Sequence, residues 1–523
     1  MRQADRLIVN TASNYALSIV SAVASLIVVP VVVHDLGREG FGLASLLFAI
    51  WGVFQLGSNI VGRALERLIP HDRADPDSGR INRTFNASLW GFALIGSCGA
   101  CVVFALRNWL IGGEGLSPIQ IADGHRASSL LIAWIALGAP LLVYNKTLGA
   151  FQRYDLVGIF TASTMIARAI VVIVLFKLGY GSVTLFVGSQ LAASLAESLL
   201  CRWALRQRAS HLRMSMRCVD LQMLRLVAAL STGSLLMVAG NMLAAQGFVF
   251  FVGKRLGMRE LGGLAIVLTV RRLLYMLLTN VSSVLTPAVS ALDAANSSEH
   301  IAKLFVAAAK FGVVMAVAIC LVPLTVAASG LRLWVGEEFL GLHRVLYIVL
   351  ISLILLSPSS TSQQILMGLG KVRFTGPLVF LRGAIGLLAA YIFVETVSAN
   401  LEGVVICAYG SQVLGGIILF GYAARVTRQP LLSTSMRVFA GPVLLGAVAA
   451  SVTAAVAMGI GSQRWWQFIT AVAVGEIVFL ALVLAFALSR EERHRFASFA
   501  QRVRARAASA LSRRVQVDQL PVG

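Results

Sequence analysis

The chain has 523 residues, of which 58% are hydrophobic and only 13% are charged. A soluble globular protein is nearer half apolar and a quarter charged, so a water-soluble surface cannot be built over this length from so few charges. The composition therefore excludes an ordinary soluble protein and predicts a polytopic membrane protein.

The remaining charges are unevenly divided between the two signs. Lys and Arg together number 44 and Asp and Glu number 23, which gives a formal net charge of +21. In a soluble protein this excess would suggest nucleic-acid binding. In a membrane protein it indicates topology, because Lys and Arg accumulate in loops that stay cytoplasmic. We therefore expect no nucleic-acid partner.

Apolar runs of about 20 residues are long enough to cross a hydrocarbon core about 30 Å thick. Taken in chain order, the sequence contains about fourteen such runs, and most connections between them are short. The first run lacks the cleavage site of a signal peptide and is interpreted as a membrane helix. The longest predicted connection on the far side is 107–127. The predicted spans are 8–33, 41–69, 84–106, 128–149, 155–178, 180–204, 224–252, 261–290, 303–329, 344–370, 374–396, 400–424, 436–459 and 466–489.

The basic residues predict an orientation for these spans. Most of the loop arginines and lysines fall on the side that also holds both termini, so we expect cytoplasmic N- and C-termini in a bacterial inner membrane. Three basic residues on the opposite side are the exception: Lys254, Arg255 and Arg259. The C-terminal segment 490–523 places Phe496 and other apolar residues at helical spacing among arginines, which predicts a basic amphipathic helix on the anionic cytoplasmic leaflet.

Two short polar segments resemble each other across the chain. The sequence "LGREGFGLA" at 36–44 matches "LGMRELGGLA" at 256–265 with one gap, and "LGAFQRYDLVGI" at 148–159 is similar to "MGLGKVRFTGPL" at 367–378. We interpret the matches as an internal duplication of about six helices, with chance as the alternative because Leu-Gly pairs are common in membrane proteins. Parallel repeats of this kind carry their substrate at the interface between the halves.

This interpretation divides the chain into five segments. The predicted segments are an N-terminal six-helix bundle (1–204), a cytoplasmic linker (205–223), a C-terminal six-helix bundle (224–424), two additional helices (425–489) and the amphipathic tail (490–523). The first polar segment is expected to be a tight outer turn made possible by glycine. We expect its charged residues only to keep the turn solvated: His34, Asp35, Arg38 and Glu39.

Several stretches resemble one known family in the right order along nearly the whole chain. They are "IVVPVVVHDLGREGFGLA", "LGAFQRYDLVGI", "VLTPAVSALDAANSSEHIAKLF" and "LVPLTVAASGLRLWVGEEF". They resemble bacterial oligosaccharide flippases of the multidrug/oligosaccharidyl-lipid/polysaccharide exporter superfamily. The resemblance implies an all-α fold of two six-helix bundles in a V around a central cavity, here with two further C-terminal helices. It also implies transport of undecaprenyl-diphosphate-linked sugars to the periplasmic leaflet.

Ionisable residues within membrane helices are costly and face a cavity or a partner rather than lipid. Arg271 and Arg272 lie about ten residues into the eighth predicted span, roughly 15 Å from its outer end, and Arg168 is similarly central in the fifth. Arg382 and Lys310 lie nearer the cytoplasmic ends of their spans. A guanidinium group can make paired bonds to phosphate oxygens, so these residues are candidate ligands for a lipid diphosphate.

Arg271 and Arg272 are about 100° apart on a helix, so only one of them need face the substrate while the other pairs with an acid or a carbonyl. Asn59 and Asn241 are candidate donors to sugar hydroxyls, with interhelical hydrogen bonding as the alternative. Arg63 and Arg67 are better explained as snorkelling to the headgroups.

Two acidic residues lie within predicted spans, Glu197 and Glu476. Each could be a counter-ion to an arginine, which we favour, or a proton site that drives transport. The apolar stretch of the first span contains no acid before Asp35, which weakens the case for an exporter of cationic drugs, since such substrates favour carboxylates.

The predicted function is therefore a flippase for lipid-diphosphate-linked oligosaccharide in capsule, exopolysaccharide or O-antigen assembly, working by alternating access. Its expected partners are the lipid-linked substrate, membrane lipids and a polysaccharide polymerase or other assembly proteins. A lipid II flippase is the nearest alternative and a multidrug exporter is the third. A membrane polymerase or ligase is disfavoured because the sequence has no large far-side loop, nucleotide-phosphate loop, metal-ligand spacing or nucleophile motif. We expect neither an enzyme nor a cofactor.

Overall fold

A computed structural model describes residues 3–72, 78–112, 115–208, 212, 235–282 and 285–487. This part of the chain is helical, with short turns and no strand, as the sequence predicts. The predicted tail 490–523 and most of the predicted linker 205–223 lie outside the described residues. The side chains of Asn59, Arg63 and Arg67 also lie outside them.

The helices of the first half, which we refer to as the N-terminal lobe, follow one another with short connections. They are α1 (Gln3–Asp72), α2 (Ser78–Ile111), α3 (Pro118–Gly138), α4 (Leu142–Ala150), α5 (Tyr154–Lys177) and α6 (Val183–Arg208). The second half, up to Val426, is referred to as the C-terminal lobe. Its helices are α7 (Leu235–Met242), α8 (Phe248–Arg255), α9 (Met258–Ser282), α10 (Leu285–Ala294), α11 (Ser298–Ala316), α12 (Ala327–Val335), α13 (His343–Gly368), α14 (Val372–Thr396) and α15 (Leu401–Val426).

Two further helices complete the described chain, α16 (Leu431–Ile460) and α17 (Trp465–Leu482). Helix α16 packs against α11 and α17 packs against α16, so the pair is added to the outside of the C-terminal lobe. The ammonium group of Lys310 on α11 donates to the carbonyl oxygen of Ala487, 2.5 Å away, just beyond α17.

The described residues contain 13 helical segments that are long and apolar enough to cross a membrane, so the protein is a multi-pass membrane protein. The first of them, Ile19–Gln55, runs through the first two predicted spans. Those spans meet inside α1 at Gly37, whose φ of 69° and ψ of 178° are not helical. The predicted number of spans agrees with the structure once α1 is divided at this break.

Gly257 lies between α8 and α9, at the corresponding point of the second polar segment, with φ of 92°. A positive φ is reached by glycine without a steric penalty. Both predicted turns therefore depend on a glycine in the left-handed region. The two turns lie at the same end of the molecule, which we refer to as the Gly37 end; the opposite end, with the α4–α5 turn at Gln152, is the Gln152 end.

The predicted far-side connection 107–127 was too long. Helix α2 continues to Ile111, and α3 begins at Pro118 with Ser117 as its N-cap. The hydroxyl of Ser117 accepts from the backbone N–H of Gln120, and the Gln120 side chain accepts from the backbone N–H of Ser117. This reciprocal capping starts a helix in a polar stretch that hydropathy alone assigns to a loop.

Buried apolar side chains form two clusters. The larger cluster unites both lobes in the half of the molecule near Gly37 and continues through the C-terminal lobe. The smaller cluster contains residues of the N-terminal lobe only, including Leu65, Phe85 and Leu148, and lies toward the Gln152 end. The lobes therefore share a core near Gly37, whereas the N-terminal lobe keeps a separate core at the Gln152 end.

Candidate functional site

The two lobes meet along α1 and α9 at the Gly37 end, where the backbones touch. A Cβ atom added to Gly42 would collide with the carbonyl oxygen of Met258, and one added to Gly262 would collide with the carbonyl oxygen of Arg38. Only glycine allows this approach of the two helices. The contact closes the space between the lobes at this end.

Reciprocal ion pairs flank the glycine contact. An Nη of Arg38 lies 3.3 Å from a carboxylate oxygen of Glu260, and the Nε of Arg259 lies 3.9 Å from a carboxylate oxygen of Glu39. The Nε of Arg38 also donates to the backbone carbonyl of Arg259 at 2.9 Å. The expectation that Arg38 and Glu39 only solvate a turn was therefore wrong. The sequence held the signal, because the gap that aligns the two polar segments pairs Arg38 with Arg259.

The three basic residues that break the predicted charge distribution are accounted for by contacts at the Gly37 end. Arg259 forms the pair just described. The ammonium group of Lys254 donates to the carbonyl oxygen of Gly112 at 2.9 Å, and Arg255 lies 2.8 Å from Glu395. These cations join helices to one another, so their position does not reflect loop orientation.

Deeper between the lobes, arginines approach from both sides. Arg168 on α5 donates from its Nε to the hydroxyl of Ser189 at 3.2 Å. Its guanidinium carbon lies 5.9 Å from the ring centroid of Phe48 and 5.1 Å from that of Phe186. Arg272 on α9 is exposed and within electrostatic range of Arg168. The structure thus brings together one predicted arginine from each lobe.

Arg271, the neighbour of Arg272, turns into the C-terminal lobe instead. Its guanidinium carbon lies 4.8 Å from the ring centroid of Tyr409 and 5.3 Å from that of Tyr275. Arg382 on α14 is close enough to repel it electrostatically. The two adjacent arginines therefore point in different directions, and that one of them faces a substrate stays a prediction. The expected acid or carbonyl partner of the other is absent from the described residues, where Arg271 has only aromatic contacts.

The predicted acids do not neutralise these arginines in the described part of the chain. One carboxylate oxygen of Glu197 accepts from the amide of Asn145 and from the hydroxyl of Thr161, both at 2.7 Å. The cation within electrostatic range of Glu197 is Lys146. Glu197 therefore links α4, α5 and α6. Glu476 is half-buried on α17, among the helices added outside the C-terminal lobe.

The remaining candidates divide as follows. Arg382 lines a small cavity inside the C-terminal lobe, whereas Lys310 contacts the last membrane segment. Asn241 is exposed on α7, and the side chain of Asn59 lies outside the described residues. No group of three or more His, Cys, Asp or Glu side chains that could hold a metal ion occurs in the described part of the chain.

An apolar cleft of about 330 Å³ lies further along α9 toward the Gln152 end. Leu278 and Ser282 of α9 line it, together with Phe311 of α11 and Thr361 of α13. Leu278 and Ser282 are seven and eleven residues beyond Arg271, so they lie on the same helix face about 10 and 16 Å away. Phe311 is 46% exposed.

Solved structures of two kinds of transporter share this arrangement of helices. An inward-facing conformation of a multidrug resistance MATE family transporter of the MOP superfamily superposes with a TM-score of 0.67 and 16% identity, covering 80% of this chain and 98% of that one. The lipid II flippase MurJ in an inward closed conformation superposes with a TM-score of 0.68 and 12% identity, covering 92% of this chain and 98% of that one.

An outward-facing conformation of a multidrug resistance MATE family transporter gives a TM-score of 0.56 with 16% identity, covering 81% of this chain and 95% of that one. No protein-family model matches the chain, and no curated protein matches it significantly. At such identities the similarity concerns the fold. The chain therefore has the all-helical fold of MATE transporters and of the lipid II flippase MurJ.

Proposed function

We propose that the protein is a transporter rather than an enzyme, and that it flips undecaprenyl-diphosphate-linked oligosaccharide across the bacterial inner membrane for surface polysaccharide synthesis. The observation that carries the proposal is the approach of Arg168 and Arg272 from opposite lobes. Two like charges held near each other in a membrane protein are costly unless an anion comes between them. A diphosphate offers several oxygens to both guanidinium groups.

The charges of Arg168 and Arg272 favour an anionic substrate. A cationic drug would meet two arginines there, and neither of them pairs with a carboxylate in the described part of the chain. These observations favour a lipid diphosphate over a cationic drug.

The mechanism follows from the contact between α1 and α9 that closes the Gly37 end, and from the separate core of the N-terminal lobe at the Gln152 end. With the Gly37 end sealed and the N-terminal core distinct at the Gln152 end, the substrate enters from the Gln152 side. We place this side in the cytoplasm, in agreement with the positive-inside rule. The higher TM-score against the inward-facing than against the outward-facing MATE structure supports the same assignment. Release then requires separation of α1 from α9 at the Gly37 end.

The test is complementation of a strain that lacks the gene. Arg272→Ala and Arg168→Ala should each abolish surface polysaccharide while the protein remains inserted and abundant. Arg425→Ala, which changes an exposed arginine at the end of α15, is the matched control and should leave polysaccharide normal. Normal surface polysaccharide in Arg272→Ala, in Arg168→Ala and in the double variant would overturn the proposal.

Transport of lipid II is the second candidate. The MurJ structure covers 92% of this chain, against 80% for the inward-facing MATE structure. Both candidate substrates are polyprenyl diphosphates, so the arginines serve either one. Depletion separates them: loss of a lipid II flippase should lyse growing cells, whereas loss of a polysaccharide flippase should leave growing cells intact.

A further inference from the structure

Arg271 and Arg382 form a pair of cations inside the C-terminal lobe. The Nε atom of each is buried and has no hydrogen-bond partner. Each lies within electrostatic range of the other, and neither has a carboxylate partner within the described part of the chain. Contact with the rings of Tyr275 and Tyr409 stabilises the charge on Arg271 but does not neutralise it.

Such a pair is unfavourable without a counter-ion. Removing a charge from water is expensive, and two like charges repel each other more strongly in a low dielectric than in water. A protein that buries an arginine therefore pairs it with a carboxylate, a bound anion or a network of hydrogen-bond acceptors. Among the described residues, no carboxylate pairs with Arg271 or with Arg382.

A small cavity lies beside Arg382. Gln412 and Ser411 of α15 line it together with Gly383 and Gly386 of α14. The Ser411 hydroxyl already donates to the carbonyl of Ala408 at 2.8 Å, so the donors left are the Arg382 guanidinium and the Gln412 amide. A Cβ on Gly386 would collide with the Ser411 hydroxyl.

The size of the cavity limits its occupant. The space between these side chains admits little more than a water-sized particle, so it does not hold a sugar diphosphate. We propose that the cavity binds a small inorganic anion, held by Arg382 and the Gln412 amide, with Arg271 as the second positive charge. Its occupant differs from the lipid diphosphate proposed for Arg168 and Arg272, so the two proposals can fail separately.

The test is the anion dependence of thermal unfolding of the full-length protein in detergent. Sodium chloride is exchanged for sodium gluconate at constant ionic strength, because gluconate is a bulky organic anion, and inorganic phosphate is tested in a second series. A ligand that binds only the folded state raises the unfolding temperature with the logarithm of its concentration. We expect an increase of about 2 °C or more for at least one of the two small anions.

The variants assign the effect to the cavity. Arg382→Gln should abolish the increase, Arg382→Lys should retain part of it, and Arg425→Gln should leave it unchanged. Arg272→Ala should also retain it, although substrate transport is lost. The proposal is overturned if neither anion stabilises the wild-type protein, or if Arg382→Gln responds as the wild type does. If Arg382→Gln does not fold, the comparison of Arg271→Gln with Arg272→Ala replaces it. Loss of the anion-dependent increase in Arg271→Gln and its retention in Arg272→Ala would support the proposal. Retention in Arg271→Gln and loss in Arg272→Ala would contradict it.

Discussion

A guanidinium nitrogen of Arg38 in the N-terminal lobe lies 3.3 Å from a carboxylate oxygen of Glu260 in the C-terminal lobe. In the same way, the Nε of Arg259 lies 3.9 Å from a carboxylate oxygen of Glu39. The residues exchange roles: each polar segment gives its arginine to the glutamate of the other. A self-complementary contact of this kind is what a two-fold axis generates between identical surfaces. We therefore propose that the two segments derive from one duplicated helix pair and close the Gly37 end together.

Charge reversal at this contact should open the Gly37 end. Arg38→Glu sets a carboxylate against Glu260 and next to Glu39, and it removes the bond to the Arg259 carbonyl. An exposed ion pair contributes at most about 1 kcal/mol, and the substitution adds repulsion to that loss. We therefore expect the population of the state with an open Gly37 end to rise about 10-fold. Spin labels at Ile119 and Glu338, in a background without exposed cysteines, should show a longer distance. Arg38→Glu combined with Glu260→Arg should restore the shorter one.

A methyl group added at the glycine contact between α1 and α9 should open the Gly37 end further than charge reversal does. In Gly262→Ala the new Cβ meets the backbone carbonyl of Arg38, which cannot move without shifting α1. Overpacking costs about 1–3 kcal/mol, and here the cost falls only on the state with α1 and α9 in contact. We expect the same pair of spin labels to report separation. Gly441→Ala is the control, because nothing lies within 4 Å of a Cβ at that position. Equal distances in both variants would contradict the role of the glycine contact.

Ser189 should position Arg168. Its hydroxyl accepts from the Nε of Arg168 at 3.2 Å, so Ser189→Ala leaves that N–H without its acceptor. A net loss of about 0.5–1.5 kcal/mol corresponds to an affinity for the lipid-linked substrate that is about 2- to 10-fold weaker. Binding of a labelled substrate to purified protein measures it. The control Ser451→Ala removes an exposed hydroxyl that bonds only within its own helix. Unchanged affinity in Ser189→Ala would separate Arg168 from substrate binding.

Glu197 should act as a structural acceptor. In Glu197→Ala the amide of Asn145 and the hydroxyl of Thr161 both lose their partner, and each unsatisfied buried donor costs about 1–3 kcal/mol. Glu197→Gln keeps a carbonyl oxygen for both donors and should unfold within a few degrees of the wild type. Thermal unfolding in detergent compares the two variants. A folded Glu197→Gln protein that no longer transports would assign Glu197 to proton coupling instead.

Part of the candidate site could be predicted from the sequence. An arginine within an apolar run stands out, and the angle between adjacent residues on a helix showed that Arg271 and Arg272 face different directions. Which of them faces the other lobe depends on how α9 is rotated in the bundle, and packing sets that rotation. The partners of Glu197 were missed for the same reason, since Asn145 is 52 residues away from it.

The membrane class, the number of spans and the glycine turns could be predicted from the sequence, because hydrophobic length and backbone freedom are properties of local stretches. Packing determines which polar residues join the lobes and which have no counter-ion among the described residues. Arg38 and Arg259 are 221 residues apart in the chain, and their contact exists only because two helices approach closely at glycine. Electrostatic partners at that separation depend on packing, which composition and periodicity do not encode.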